Sequence, residues 1–261
     1  MLNIRFAKDF LLHKLTAKTR HGIHSPFVYR LVDRIFYNTS PQDIYTEVEA
    51  IRQKLLADER TITITDLGAG SHVNNNKQRK VSDIAAHALK SPKLAQLLYR
   101  TVADLHPNNI IELGTSLGVT SIYLQRAAPE AIVYTLEGSP QTADIAKETF
   151  NNAGLDKIEL VVGNFDNTLP GIIDKLNRVD FVFVDGNHQK EATLRYFEWC
   201  LPKVDDGTLL IFDDIYWSEG MKEAWAQIKA HPKVTVTIDL FWIGLVYFRQ
   251  GQTKEDFKIK I

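Results

Sequence analysis

The chain has 261 residues, 44% hydrophobic and 24% charged, with 31 Lys plus Arg against 32 Asp plus Glu and a formal charge of −1. This is material for one large α/β domain with an extension, and the charge balance gives no reason to expect a nucleic-acid partner. The single cysteine, Cys200, excludes an internal disulfide and fits a cytoplasmic setting, and no apolar run is long enough for a membrane span.

Residues 1–60 read as mainly helical. Within the first twenty, Arg5, Lys8, Lys14, Lys18 and Arg20 face one acid, Asp9, while Leu2, Phe6, Phe10 and Leu15 recur at roughly helical spacing. Such a helix can lie on a membrane surface or pack on its own domain, and packing is the commoner use of that spacing. Ser25-Pro26 reads as an N-cap followed by Pro at the first helical position. His21 and His24 precede it without a nearby third metal ligand, so they read as a polar loop. Thr61 to Thr65 alternates like a strand. Asp66-Leu67-Gly68-Ala69-Gly70 then opens a polar stretch that runs to Lys80. No amphipathic helix follows those glycines, so the stretch reads as a turn or surface loop outside any cofactor site. Ser82 is placed as the cap of the next helix, which runs towards Leu105 with a break at Ser91-Pro92.

From residue 109 a regular alternation begins. Strands are predicted at 109–113, 131–136, 158–162, 180–184, 208–212, 233–239 and 243–249. Helices are predicted at 117–127, 140–153, 168–177, 190–200 and 218–230. The expected fold is therefore α/β and Rossmann-like, with a mostly parallel seven-stranded sheet ending in an antiparallel hairpin. Residues 1–82 form the mainly helical extension and 83–261 the principal domain, with ligands beyond the C-terminal strand ends.

The first of these strands, ending Glu112-Leu113, runs into Gly114-Thr115-Ser116-Leu117-Gly118 and then a helix. Glu137 ends the following strand, where an acid can accept hydrogen bonds from both hydroxyls of a ribose. The loop lacks the middle glycine of G-x-G-x-x-G, which argues against a nicotinamide cofactor. It matches the G-x-S-x-G turn of α/β-hydrolases, with Asp213 and His231 in triad order, so a serine esterase is an alternative. That alternative leaves Glu112 and Glu137 without roles. The E-x-G-x-x-x-G loop with a strand-end acid resembles class I S-adenosylmethionine (SAM)-dependent methyltransferases. The resemblance places Glu112 by the methionine amino group, Gly114 and Thr115 against the methionine portion, Gly118 in the loop, Thr120 at the carboxylate and Glu137 at the ribose. Gly163-Asn164-Phe165-Asp166-Asn167-Thr168-Leu169-Pro170 resembles the family's adenine segment, with Asn164 in place of the usual Asp.

Two more apolar strands end in acids, at Asp185-Gly186-Asn187-His188 and at Asp213-Asp214. Three carboxylates at one sheet edge repel unless a cation or protons intervene, and hard oxygen ligands suit Mg²⁺. The pattern is similar to the metal-dependent catechol-type and sugar O-methyltransferases. It implies a divalent cation on Asp185, Asp213 and Asp214, with Asp185 also beside the cofactor, and a catalytic pair of Asp185 and His188 in which His188 is the base. The implied partner is a hydroxylated small molecule, and a homodimer is compatible with it. Tyr216 and Trp217 either wall the acceptor site or pack on the sheet. A catalytically inactive SAM-binding module is the non-enzymatic alternative.

Overall fold

The computed structural model describes residues 4–65 and 77–261. Chain order begins with α1 (Ile4–Thr16), α2 (Pro26–Leu31) leading into a π-helical turn (Val32–Phe36), α3 (Asp43–Leu56), β1 (Thr61–Thr63), β2 (Gln78–Lys80), α4 (Val81–His87) and α5 (Pro92–Leu105). It continues with β3 (Asn109–Leu113), α6 (Val119–Ala127), β4 (Ile132–Glu137), α7 (Pro140–Asn152), β5 (Ile158–Val162) and α8 (Phe165–Lys175). The last part comprises β6 (Phe181–Val184), α9 (Lys190–Cys200), β7 (Leu209–Asp213), α10 (Glu219–Ala230), β8 (Val236–Asp239), β9 (Ile243–Tyr247) and β10 (Glu255–Lys258). These elements form two compact units, residues 39–175 and residues 1–38 with 176–261.

In the unit 39–175, β3, β4 and β5 are parallel neighbours in that order. Ile110, Ile111 and Leu113 are wholly buried, as expected of a parallel strand. Tyr45, Val48, Ile84, Leu117, Ile122 and Phe150 share one apolar core. α5 starts as its sequence demands: Ser91 Oγ accepts from Leu94 N at 3.4 Å and Pro92 follows the cap.

The segment before α4 departs from expectation. β2 pairs antiparallel with β1, Thr61 opposite Lys80, where the sequence suggests a loop. Main-chain pairing needs no apolar side chains, so the polar Gln78-Arg79-Lys80 gives no strand signal. Ser82 does not cap α4, which begins at Val81 with Lys80 in the extended cap position. Val81 N and Ser82 N donate to the carbonyls of Arg60 and Asp58 at 2.9 Å each, so the backbone satisfies the helix start without a capping side chain. The glycines of Asp66-Leu67-Gly68-Ala69-Gly70 lie outside the described residues.

In the other unit the strand order is β10-β8-β9-β7-β6. β6 and β7 are parallel, and β9 runs antiparallel to both β7 and β8, which is the expected C-terminal hairpin. The seven expected strands are joined by β10, parallel to β8 at the edge. Its Glu255-Asp256-Phe257-Lys258 has one apolar residue and no alternation, so only pairing reveals it. α1 packs on this unit: the Phe6 and Phe10 rings meet Phe241 at centroid distances of 5.1 and 4.9 Å. Lys222 Nζ also donates to Asp9 at 2.9 Å. Among the described residues no helix is long and apolar enough to cross a membrane.

Candidate functional site

The unit 39–175 carries the glycine loop. Gly114 and Gly118 have φ of 103° and 85°, left-handed values that glycine adopts without strain. A Cβ on Gly118 would also stand 2.5 Å from the Phe150 ring. Gly114 N and Thr115 N both donate to Leu136 O, at 3.0 and 3.1 Å, which ties the loop to the end of β4. Glu137 follows there. One of its carboxylate oxygens accepts from Ser116 N and the other from Ser139 N, each at 2.9 Å. The acid expected at the ribose is thus fixed to the glycine loop by a charge-assisted bond. Thr120 is buried in the first turn of α6.

Glu112 is fully buried. Its Oε2 accepts from Thr135 Oγ1 at 2.6 Å and from Ser121 Oγ, while Oε1 is buried without a partner. Thr115 Oγ1 lies 2.6 Å from Thr135 Oγ1 and extends the network. Burial pushes the Glu112 carboxyl up to about 7; the bonds from Ser121 and Thr135 oppose the shift without cancelling it, and the Glu137 charge adds to it. A raised carboxyl binds its proton more tightly in the folded state, so stability falls as pH rises from the ordinary value of 4.5 to about 7 and is level beyond. Two to three pH units correspond to about 3 kcal/mol. Glu112→Gln should therefore be up to about 3 kcal/mol more stable than the parent at pH 8, with the gap closing towards pH 4.5. Urea unfolding at several pH values checks this, and a gap independent of pH would refute it.

Gly163 closes β5, its N–H donating to Glu137 O at 2.9 Å. The expected helix at 168–177 begins earlier, at Phe165, inside the Gly163–Pro170 motif. Asn164 Oδ1 accepts from Asp166 N at 2.9 Å, so this side chain caps α8 and keeps its amide N–H groups as donors.

The other unit carries the acids. β6 delivers Asp185 and β7 delivers Asp213 and Asp214. Asp185, His188 and Asp213 each present one ligand atom, all within 4.8 Å of one another, the one such His/Cys/Asp/Glu group among the described residues. His188 Nε2 stands 3.8 Å from Asp185 Oδ1 and 3.9 Å from Asp214 Oδ2, too far for direct hydrogen bonds. The sequence suggests Asp214 as third ligand; the compact trio contains His188 instead, with Asp214 beside it. A trio of this size and donor type fits a divalent cation. Sequence reasoning missed Asn187. Its φ is 54°, its Nδ2 donates to Tyr196 OH at 3.0 Å, and it turns the chain between Asp185 and His188. The tolerance of Asn for left-handed φ was the available signal. Tyr216 takes the packing role, stacking on Phe241 at 4.8 Å.

The esterase alternative needs Asp213 to engage His231. Asp213 groups with Asp185 and His188, and His231 Nδ1, the nitrogen a triad acid must hold, accepts from Lys233 N at 3.2 Å.

Residues 111–215 match a family model described as a methyltransferase domain. The chain is 29% identical over 145 residues to a catechol O-methyltransferase of Mycobacterium tuberculosis, which covers 52% of this chain and 64% of that protein. It is 30% identical over 128 residues to one from Niastella koreensis, covering 48% of this chain and 57% of that protein. The chain thus spans less than two thirds of the length of either relative. In solved structures it resembles the O-methyltransferase from Bacillus cereus in complex with SAH, with a TM-score of 0.58, 24% identity and coverage of 84% of this chain and 96% of that one. It also resembles the SAH-bound methyltransferase from Podospora anserina, with a TM-score of 0.60, 16% identity and coverage of 87% and 97%. The two solved structures bear on the fold, and residues 111–215 are similar to a methyltransferase domain that contains the glycine loop and the acids after β6 and β7.

Proposed function

We propose that this protein transfers a methyl group from SAM to a hydroxyl of a small molecule with divalent-metal assistance, and that residues 83–261 carry the reaction. The observation that supports it most is Glu137, held by two backbone N–H groups at the end of β4 and tied to the glycine loop. That arrangement pre-orients a carboxylate for a ribose diol. Glu112, Gly114, Thr115, Gly118 and Thr120 would receive the methionine portion, and Asn164 would donate to the adenine edge. SAM, when bound, supplies an activated methyl group; the chain's residues hold it and the acceptor in line. Asp185 and Asp213 would hold a divalent cation with Asp214, and His188 stands beside them as the base. Bound there, a cation would polarise the acceptor hydroxyl. His188 takes the acceptor's proton in this reading, and the catechol O-methyltransferase relatives favour a diol-bearing acceptor.

Calorimetry with SAM tests the reading. Glu137→Gln should weaken SAM about tenfold to a hundredfold, the loss of a hydrogen-bonded charge of roughly 1.5–3 kcal/mol. Unchanged affinity in a folded variant, or no SAM binding by the parent, would overturn it.

A further inference from the structure

We infer that the outward face of α1 docks on an anionic lipid surface. Phe6, Asp9, Phe10 and His13, spaced i, i+3, i+4 and i+7, turn inward onto Phe241, Lys222 and Asp239. The opposite stripe is not polar. Ile4, Leu11, Leu12 and Leu15 are 85, 59, 51 and 75% exposed. They are four of the nine large hydrophobics most exposed among the described residues, and they sit on one helix of 13 residues. Ile4, Leu11 and Leu15 recur at i, i+7 and i+11, a single line along the helix.

Charge selects the occupant. Lys8 and Lys14 are exposed on α1 and Lys18 just beyond it. The helix's one acid, Asp9, is drawn inward to Lys222. A second copy of the chain meeting this face about a two-fold axis would set these lysines against their own copies. An anionic lipid surface instead neutralises them while the leucines enter the acyl boundary, the arrangement of an interfacial helix. The helix is far too short to span a bilayer, so it lies in the plane of the interface. Because α1 is anchored by its inner face, docking needs no refolding.

The test uses the full chain and sedimentation with vesicles of phosphatidylcholine mixed with phosphatidylglycerol, against phosphatidylcholine alone. The protein should sediment with the anionic vesicles and not with the neutral ones, and release with rising salt. Leu11→Ser with Leu15→Ser, and separately Lys8→Glu, should each lower the partition coefficient about tenfold, given the usual worth of a buried leucine and of one charge reversed at an anionic surface. All are surface positions, so thermal unfolding and SAM binding should match the parent. Failure of the parent to bind anionic vesicles overturns the inference. So does binding that both variants retain, or a dimer in light scattering that the leucine variant dissociates, which would give the face to a second copy.

Discussion

His188→Ala is expected to lower methyl-transfer turnover about 10²–10⁴-fold near neutral pH, the usual worth of a positioned general base, while SAM affinity stays at the parent value. The expectation rests on which side chains each group uses. His188 is grouped with the acids after β6 and β7 in the unit of residues 1–38 with 176–261. The glycine loop and Glu137 belong to the unit 39–175 and use none of those side chains. A base and a metal ligand respond differently to pH. If His188 takes the proton, activity of the variant should recover in part as pH approaches the acceptor's own pKa, because the hydroxyl then ionises unaided. If His188 is a ligand, the variant should lose affinity for the cation, and raising pH should restore nothing. Asp213→Asn separates the cases further. It removes a carboxylate oxygen from the trio and should lower turnover and cation affinity together, leaving SAM binding intact. Full activity of His188→Ala across the pH range would remove the base from the mechanism. Full activity in a chelator, with metal content measured, would remove the cation.

What the sequence made legible follows from which signals are local. β3 falls where its apolar run puts it, because a buried parallel strand is a short apolar run between helices, and the partly exposed edge strand β5 also lies at its expected bounds. Glu137 and the glycine turn were legible because the loop's backbone requires glycine at Gly114 and Gly118. β2 and β10 were not, since Gln78-Arg79-Lys80 and Glu255-Asp256-Phe257-Lys258 owe their extension to main-chain pairing with β1 and β8 and carry no apolar pattern of their own. The acids were legible as strand ends, but sequence order could not say that His188 would join Asp185 and Asp213 more closely than Asp214 does. That depends on Asn187 and Asp214 both adopting left-handed φ, 54° in each case. Thr135 and Ser121 were likewise unreadable as partners of Glu112, because a hydroxyl on a strand and one on a helix carry no mark of a shared carboxylate.

Asp239→Ala is expected to destabilise the protein by about 3 kcal/mol or more, the cost of leaving the groups that bond this carboxylate without their acceptor, at roughly 1–3 kcal/mol each. Asp239 ends β8 and is 4% exposed. His13 Nε2 lies 3.1 Å from its Oδ1, Tyr216 OH donates to Oδ2 at 2.6 Å, and Phe241 N donates to Oδ1 at 2.9 Å. Three elements distant in sequence thus meet on one carboxylate: α1, the turn after β7 and the β8–β9 turn, where Phe241 holds a φ of 74°. Truncation removes the acceptor of the Tyr216 hydroxyl and the partner of the buried His13 ring. Burial alone would raise the Asp239 carboxyl, but the bonds from His13, Tyr216 and the Phe241 backbone outweigh it and hold the group below the ordinary value of 3.8. The sign follows: this contribution is complete above about pH 4 and is lost as pH falls through the depressed folded value. Acid unfolding of the parent should therefore include a step that Asp239→Ala lacks, the two curves converging at the lowest pH. Asp239→Asn keeps an acceptor for Tyr216 and should lose less. A cycle with His13→Ala should show coupling of about 0.5–3 kcal/mol, since the two residues share one contact. Additive effects at neutral pH, or a loss in Asp239→Ala below about 1 kcal/mol, would mean that the aromatic packing of Phe6, Phe10 and Phe241 holds α1 without the His13–Asp239 contact.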